Sequence, residues 1–168
     1  MTEIGNDSLA QRPPGRADVW LALAIIVPTL FAYSPVFHAG FIWDDDDHIY
    51  ENDNLDSRQG LVNIWLSPLS SPQYYPLTHT VFWFEHQLWG DHPAGYHIVS
   101  VLFHVAGALL LWRNLRLLNV PGAWMAAAIF ALHPVHSESV AWISETKNTL
   151  SGALFLGSAL SFLKFNLG

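Results

Sequence analysis

Residues 19–37, VWLALAIIVPTLFAYSPVF, decide how the rest of the chain is read. An apolar stretch of this length matches the about 20 residues that a helix needs to cross a hydrocarbon core. Trp20 and Tyr33 sit near its two ends, where amphipathic rings favour the headgroup layer. Pro28 interrupts it and no small-x-small cleavage site follows before Pro35, which argues for an uncleaved first span over a signal peptide. The composition agrees. Across 168 residues the chain is 51% hydrophobic, 14% aromatic and only 12% charged, a membrane-like balance.

Working outward, residues 1–17 are polar, carry Pro13-Pro14-Gly15 with Arg12 and Arg16, and read as a disordered cytoplasmic leader. On the other side the first span runs into Phe41-Ile42-Trp43-Asp44-Asp45-Asp46-Asp47-His48-Ile49-Tyr50. Four successive like charges repel, so this run is either fully solvated or holding cations or protons. Its place just after an apolar span favours a functional reading, because carboxylates beside a membrane tend to be functional. The net charge of −7 with only seven basic residues excludes nucleic-acid binding, which needs Lys and Arg to neutralise phosphates. With no cysteine, any metal must be held by His and carboxylate.

Residues 38–96 are polar and aromatic together, with Pro68, Pro72, Pro76 and Pro93, and too poor in aliphatic side chains for an independent core. They read as a large outer loop lying on the membrane. Within it, Leu61, Ile64 and Trp65 fall at one-turn spacing, and Leu77, Val81, Phe84 and Leu88 form one stripe of a helix starting at Pro76. Phe82, Trp83 and Trp89 add more aromatic surface than a soluble helix leaves in water, which suits an interfacial helix. A second span follows at residues 97–118, then a turn at Asn119-Val120-Pro121-Gly122. A short third segment at 122–133 is broken by His133-Pro134, an outer turn covers 134–149, and a fourth span covers 150–167. Ala153, Gly157 and Ser161 form a small-residue ridge on the last span that permits close helix approach. The fold class expected is an all-α membrane protein with about four hydrophobic helical segments.

Arg12, Arg16, Arg113, Arg116 and Lys164 flank one side of these segments, and only Arg58 and Lys147 the other. By the positive-inside rule the first side is cytoplasmic, as are both termini, and the protein is multi-pass, in the cytoplasmic membrane if the source is bacterial. The aspartate run and the outer turn then share the outer face.

These residues resemble a family. Phe41-x-Trp43-Asp44-Asp45, Tyr74-Tyr75-Pro76-Leu77-Thr78 with Trp83, Gly95-Tyr96-His97 with His104, and Phe130-Ala131-x-His133-Pro134-x-His136-x-Glu138-x-Val140-Ala141-Trp142-Ile143 are similar, in the same order, to the transmembrane and tetratricopeptide-repeat O-mannosyltransferase-like proteins. These are glycosyltransferases of the C-type fold that use lipid-phosphate-linked sugars. The resemblance covers about residues 18–166 and implies the amino-terminal part of an enzyme that moves a mannose-like sugar from a polyprenyl-phosphate carrier to a hydroxyl on a protein or glycan. It places the acid-base role on Asp44, with Asp45 its neighbour. Such chemistry needs a carboxylate to take the acceptor proton and positive groups or a metal to hold the phosphate. His133, His136, Glu138 and Lys147 are the clustered candidates for the second task, and a divalent metal the candidate cofactor. His133 and His136 fall one turn apart if the backbone is helical, which suits zinc, while histidines that cap or hydrogen-bond at the membrane surface are the plainer alternative.

Two departures stand out. Many members carry an acid where this chain has Asn148. The resemblance also implies further spans and a superhelical repeat array beyond Gly168, whereas no repeat of tetratricopeptide length occurs here, so a fragment or an inactive copy is expected. The competing reading is a non-catalytic membrane module whose acidic loop binds cations or a protein partner and whose spans dock into other transmembrane segments or subunits.

Overall fold

The computed structural model describes residues 15–167, and among them every regular element is helical. The expected leader lies outside the described residues except at its end, where Gly15 caps α1 (Arg16–Ala32). The Asp18 carboxylate accepts from the Gly15 N–H at 3.0 Å and satisfies one donor that a helix start leaves open. Pro28 stays inside α1. Beside it the Thr29 hydroxyl donates to Ile25 O at 2.7 Å. The helix ends at Ala32, five residues sooner than a continuous helix over 19–37 would end, and gives way to a 3-10 turn at Ser34–His38.

The long loop contains α2 (Arg58–Leu66) and α3 (Pro76–Trp89), with a π turn at Asp46–Tyr50 and a 3-10 turn at Asp53–Leu55. The Ser57 hydroxyl caps α2 by accepting from Gly60 N at 3.0 Å, and Pro76 opens α3 where its missing N–H costs nothing. Then come α4 (Pro93–Leu117), α5 (Ala123–Leu132), the short α6 (Ser137–Ala141) and α7 (Thr146–Leu167). Among the described residues two helical stretches are long and apolar enough to cross a membrane, Pro93–Leu117 and Ile143–Leu167. The second begins before residue 150 because a 3-10 turn at Ile143–Glu145 feeds straight into α7.

Side-chain pairs set the directions. Asp18 pairs with Arg116, Ile25 packs with Ala108 and Trp112, and Tyr33 packs with Val101, so α1 and α4 are antiparallel. Ala123, Ala127 and Ala131 bring α5 close against the same pair, and Trp124 Nε1 donates to Leu21 O at 2.9 Å. By contrast Ser100 meets Thr149, a Cβ at Gly157 would stand 4.0 Å from Leu110 Cδ1 and Asn114 donates to Leu156 O at 2.9 Å. Thus α7 runs parallel to α4, with part of its small-residue ridge against it.

The loop is better built than its composition suggests. Ile49, Leu55, Ile64 and Phe82 are at most 2% exposed and form one cluster with Tyr96 of α4 and Ile143. Each such side chain stabilises by about 1.5–3 kcal/mol where it leaves water. The aliphatic residues that the loop lacks are supplied by the segments it packs on. In α3 the usual polarity is inverted: Thr78, His79, Phe82 and Glu85 face inward, while Leu77, Phe84 and Leu88 are exposed.

Candidate functional site

Trp43 adopts φ +55, a conformation that costs a bulky residue about 1–2 kcal/mol. Its ring is 83% exposed and meets Trp142 edge-on at 5.7 Å. The backbone turn there sends the next two carboxylates toward the segment before α7. Asp45 is wholly buried. Its Oδ1 accepts from Ser144 N at 2.7 Å and its Oδ2 from Ile42 N at 3.0 Å. Burial pushes its carboxyl up, against the pull of those two N–H groups and of the Ser144 hydroxyl, and the Asp44 charge pushes the same way as burial. It acts as a clamp between the acidic run and the 3-10 turn at Ile143–Glu145.

Asp44 stays partly exposed. Its Oδ1 accepts from the Ser144 hydroxyl at 2.8 Å, and its Oδ2 lies 3.9 Å from Nε2 of buried His48. Behind His48 stands His79, with Nδ1 of the first and Nε2 of the second 3.2 Å apart. Burial holds both imidazoles below their usual range, His79 at about 4, so the pair is neutral at neutral pH. Asp46 and Asp47, the other two carboxylates of the run, are exposed.

Lys147 is the basic group nearest this cluster. Its Nζ donates to Glu145 Oε1 at 2.7 Å and to Ser144 O at 3.4 Å, and lies 5.6 Å from the centre of the Tyr75 ring. Glu145 Oε2 also accepts from Asn148, so the position of the absent acid is taken by an amide that a neighbouring acid holds. Lys147 and Asn148 stand on an open groove of about 390 Å³, lined on its other sides by Tyr74, Tyr75, Leu77, Leu150 and Leu154. Thr78, Ser151, Lys147 and Asn148 make part of its lining polar, and Leu77, Leu150 and Leu154 make part of it apolar.

The other candidates are placed apart from that cluster. His133 Nδ1 accepts from Val135 N at 3.1 Å and caps the Pro134–His136 turn. His136 packs on Phe130 and His104, with ring centroids 4.4 and 5.3 Å away, at a cavity of about 250 Å³ shared with Ser139 and Thr149. Glu138 borders an apolar pocket with Ile42, Trp43 and Trp142. Among the described residues no hydrogen bond or ion pair joins these three to Asp44 or Lys147, and no three His or acidic side chains are placed to hold a metal. Ser144, His48, His79 and Glu145 were not singled out from the sequence. The one signal that could have found any of them is the spacing of His48 four residues after Asp44.

No family model matches the chain, and no solved structure matches it. Curated relatives do. It is 31% identical to Protein O-mannosyl-transferase Tmtc3 of Drosophila melanogaster over 173 residues, which cover 84% of this chain and 19% of the relative. It is 28% identical to human TMTC4 over 170 residues, 86% of this chain and 23% of that protein. Mouse TMTC2 is 32% identical over 146 residues, 80% of the chain and 18% of that protein. The chain therefore spans about a fifth of the length of the relatives it matches. Over most of its own length, it is a homologue of the TMTC protein O-mannosyl-transferases.

Proposed function

We propose that this chain is part of a multi-pass membrane glycosyltransferase in which Asp44 takes the proton of an acceptor hydroxyl while a mannose-like sugar leaves a polyprenyl-phosphate carrier. The observation that carries the reading is the link through Ser144 from Asp44 to Lys147, which stands on the groove. Ser144 touches the Asp44 carboxylate with its hydroxyl and Lys147 Nζ with its carbonyl, so a base and a cation stand one residue apart. The cation borders a groove whose walls include Leu77, Leu150 and Leu154 beside Tyr74 and Tyr75, which suits a phosphate head joined to a hydrocarbon tail. Lys147 would neutralise the departing phosphate. Asp45 would hold the loop in place, and Glu145 and Asn148 would orient the lysine. His133, His136 and Glu138 would act at the rim, on the acceptor side.

The same reading takes α1, α4, α5 and α7 as four membrane segments, α2 and α3 as interfacial helices, and the end bearing Asp18, Arg113, Arg116 and Lys164 as cytoplasmic. The Asp18–Arg116 pair, which brings the start of α1 to the end of α4, supports it. So does the lipid-like outer surface of α7, where Phe155, Phe162 and Phe165 are 73%, 67% and 86% exposed.

A second reading, a cation- or partner-binding module without catalysis, is favoured by one feature: a polar cleft lined by Asp47, Glu51, Asp53, Asn52 and Asn54. The two separate on single substitutions. With this chain in a full-length or complemented enzyme, transfer from lipid-linked mannose to a hydroxyl acceptor should fall by about 100-fold or more in Asp44→Asn, the usual size of general-base catalysis, and less in Asp46→Asn and Asp47→Asn. Equal, modest losses across all three would favour the cleft and end the case for Asp44.

A further inference from the structure

The side chain of His48 is 3% exposed, and its two ring nitrogens face two different partners. Its Nδ1 lies 3.2 Å from Nε2 of His79, with the ring planes within 21° of each other. His79 Nδ1 lies 3.2 Å from the carbonyl oxygen of Tyr75. A carbonyl oxygen only accepts, so His79 carries its proton on Nδ1 and its Nε2 is bare. A bare Nε2 accepts in turn, so His48 also carries its proton on Nδ1. The remaining nitrogen, His48 Nε2, is then an unshared lone pair 3.9 Å from Asp44 Oδ2. Both imidazoles are fixed in the less common tautomer of free histidine, by a chain that starts at a backbone carbonyl of the α3 cap.

We propose that His48 is the positioning residue and proton store of Asp44: His79 holds the imidazole with Nε2 bare and turned toward the carboxylate, ready to receive the proton that Asp44 takes from the acceptor. The inference rests on the reading of Asp44 as the base. As the hydroxyl oxygen bonds to the anomeric carbon, its proton goes to Asp44 Oδ2, and the bond from that carbon to the phosphate oxygen breaks with its electron pair on the phosphate. Once protonated, Asp44 closes the 3.9 Å gap as an O–H donor to His48 Nε2, the proton crosses, which leaves an imidazolium beside an ionised carboxylate, and it passes to water once the product departs.

The groups around His48 set how firmly it holds that proton. Burial works against the charged ring. Asp44 and Asp47 on its own loop favour it, Lys147 opposes it and Glu145 favours it from the start of α7, and neutral His79 faces it from α3. A charge on His48 is therefore brief unless Asp44 is ionised beside it.

Imidazole ¹⁵N spectra of the full chain in lipid nanodiscs, followed through a pH titration, test the inference without turnover. His48 and His79 should both show the neutral Nδ1–H form, and Asp44→Asn should lower the His48 midpoint by about one pH unit. Asp47→Asn should lower it less, because that side chain is exposed. His79→Gln, whose carbonyl can still accept from Nδ1, should keep the tautomer, and His79→Leu should release it. An Nε2–H His48, or a midpoint unmoved by Asp44→Asn, would overturn the proton store. If Asp44→Asn abolishes transfer while His48 does not respond, only the store falls. If His48 responds and Asp44→Asn still transfers normally, the base reading falls and the store with it.

Discussion

Asp45 gives both carboxylate oxygens to backbone N–H groups, whereas Asp44 keeps one oxygen for a hydroxyl and turns the other to an imidazole. The four-acid run is plain in the sequence, and so is the need for something to answer its charge. Which acid turns inward is not, because that depends on the backbone at Trp43 and on Ser144, 99 residues away from Asp45. Long-range partners of this kind leave no local spacing to read. The same holds for Glu85, a carboxyl 3% exposed with neither oxygen hydrogen-bonded, whose burial pushes it up to about 9. Its folded form keeps a proton that the unfolded chain, with a pKa of 4.5, has lost. Stability from this group is complete below about pH 4.5, declines as pH rises and is gone above about 9. His79, held at about 4, works oppositely, its stabilising share being lost as pH falls below 6.5. Above pH 7 only the Glu85 slope remains of the two. Glu85→Gln should therefore flatten the loss of thermal stability between pH 7 and 9 in detergent, and a variant that tracks the wild-type slope would place the proton elsewhere.

At the scale of elements, periodicity located α2 and α3 within the loop and could not orient them. The stripe of Leu77, Phe84 and Leu88 exists as read, yet it faces out, and the polar side with His79 and Glu85 packs inward. In water the reverse would hold. On the interfacial placement proposed for α3, its outer neighbour is lipid and it has no reason to bury its apolar side, so its facing depends on the surrounding solvent and not on spacing alone. The junction of α2 with the Asp53–Leu55 turn was hidden for a different reason. A Cβ at Gly60 would stand 2.0 Å from the carbonyl oxygen of Asn54, and backbone cannot step aside as a flexible side chain can. Gly60→Ala should accordingly cost about 2 kcal/mol or more, although alanine is the better helix former. Chemical denaturation in detergent reads this directly. A stabilised Gly60→Ala variant would mean that α2 is not seated on that turn.

For the molecule as a whole, the all-helical class was readable from hydropathy, because a run of apolar residues without strand alternation has few other outcomes. Where helices begin was less so. The start of α7 at Thr146 depends on the clamp between Asp45 and Ser144, and polar residues 146–149 gave no apolar signal. Reporter fusions after Gln59 and after Leu118 should appear on opposite faces of the membrane, because α4 separates them. Finding both on one face would mean that α4 lies along the membrane. The parallel course of α4 and α7 carries a further consequence. Antiparallel helices cancel each other's peptide dipoles, but two that run together add them, with about half a positive elementary charge at each amino end. Both amino ends open toward the loop that carries Asp44 to Asp47, and both carboxyl ends toward Arg113, Arg116 and Lys164. Because α1 and α5 run the other way and offset this along the axis as a whole, what remains is local: a positive pole at each of the two amino ends, that of α7 lying two residues beyond Ser144 and its bond to Asp44.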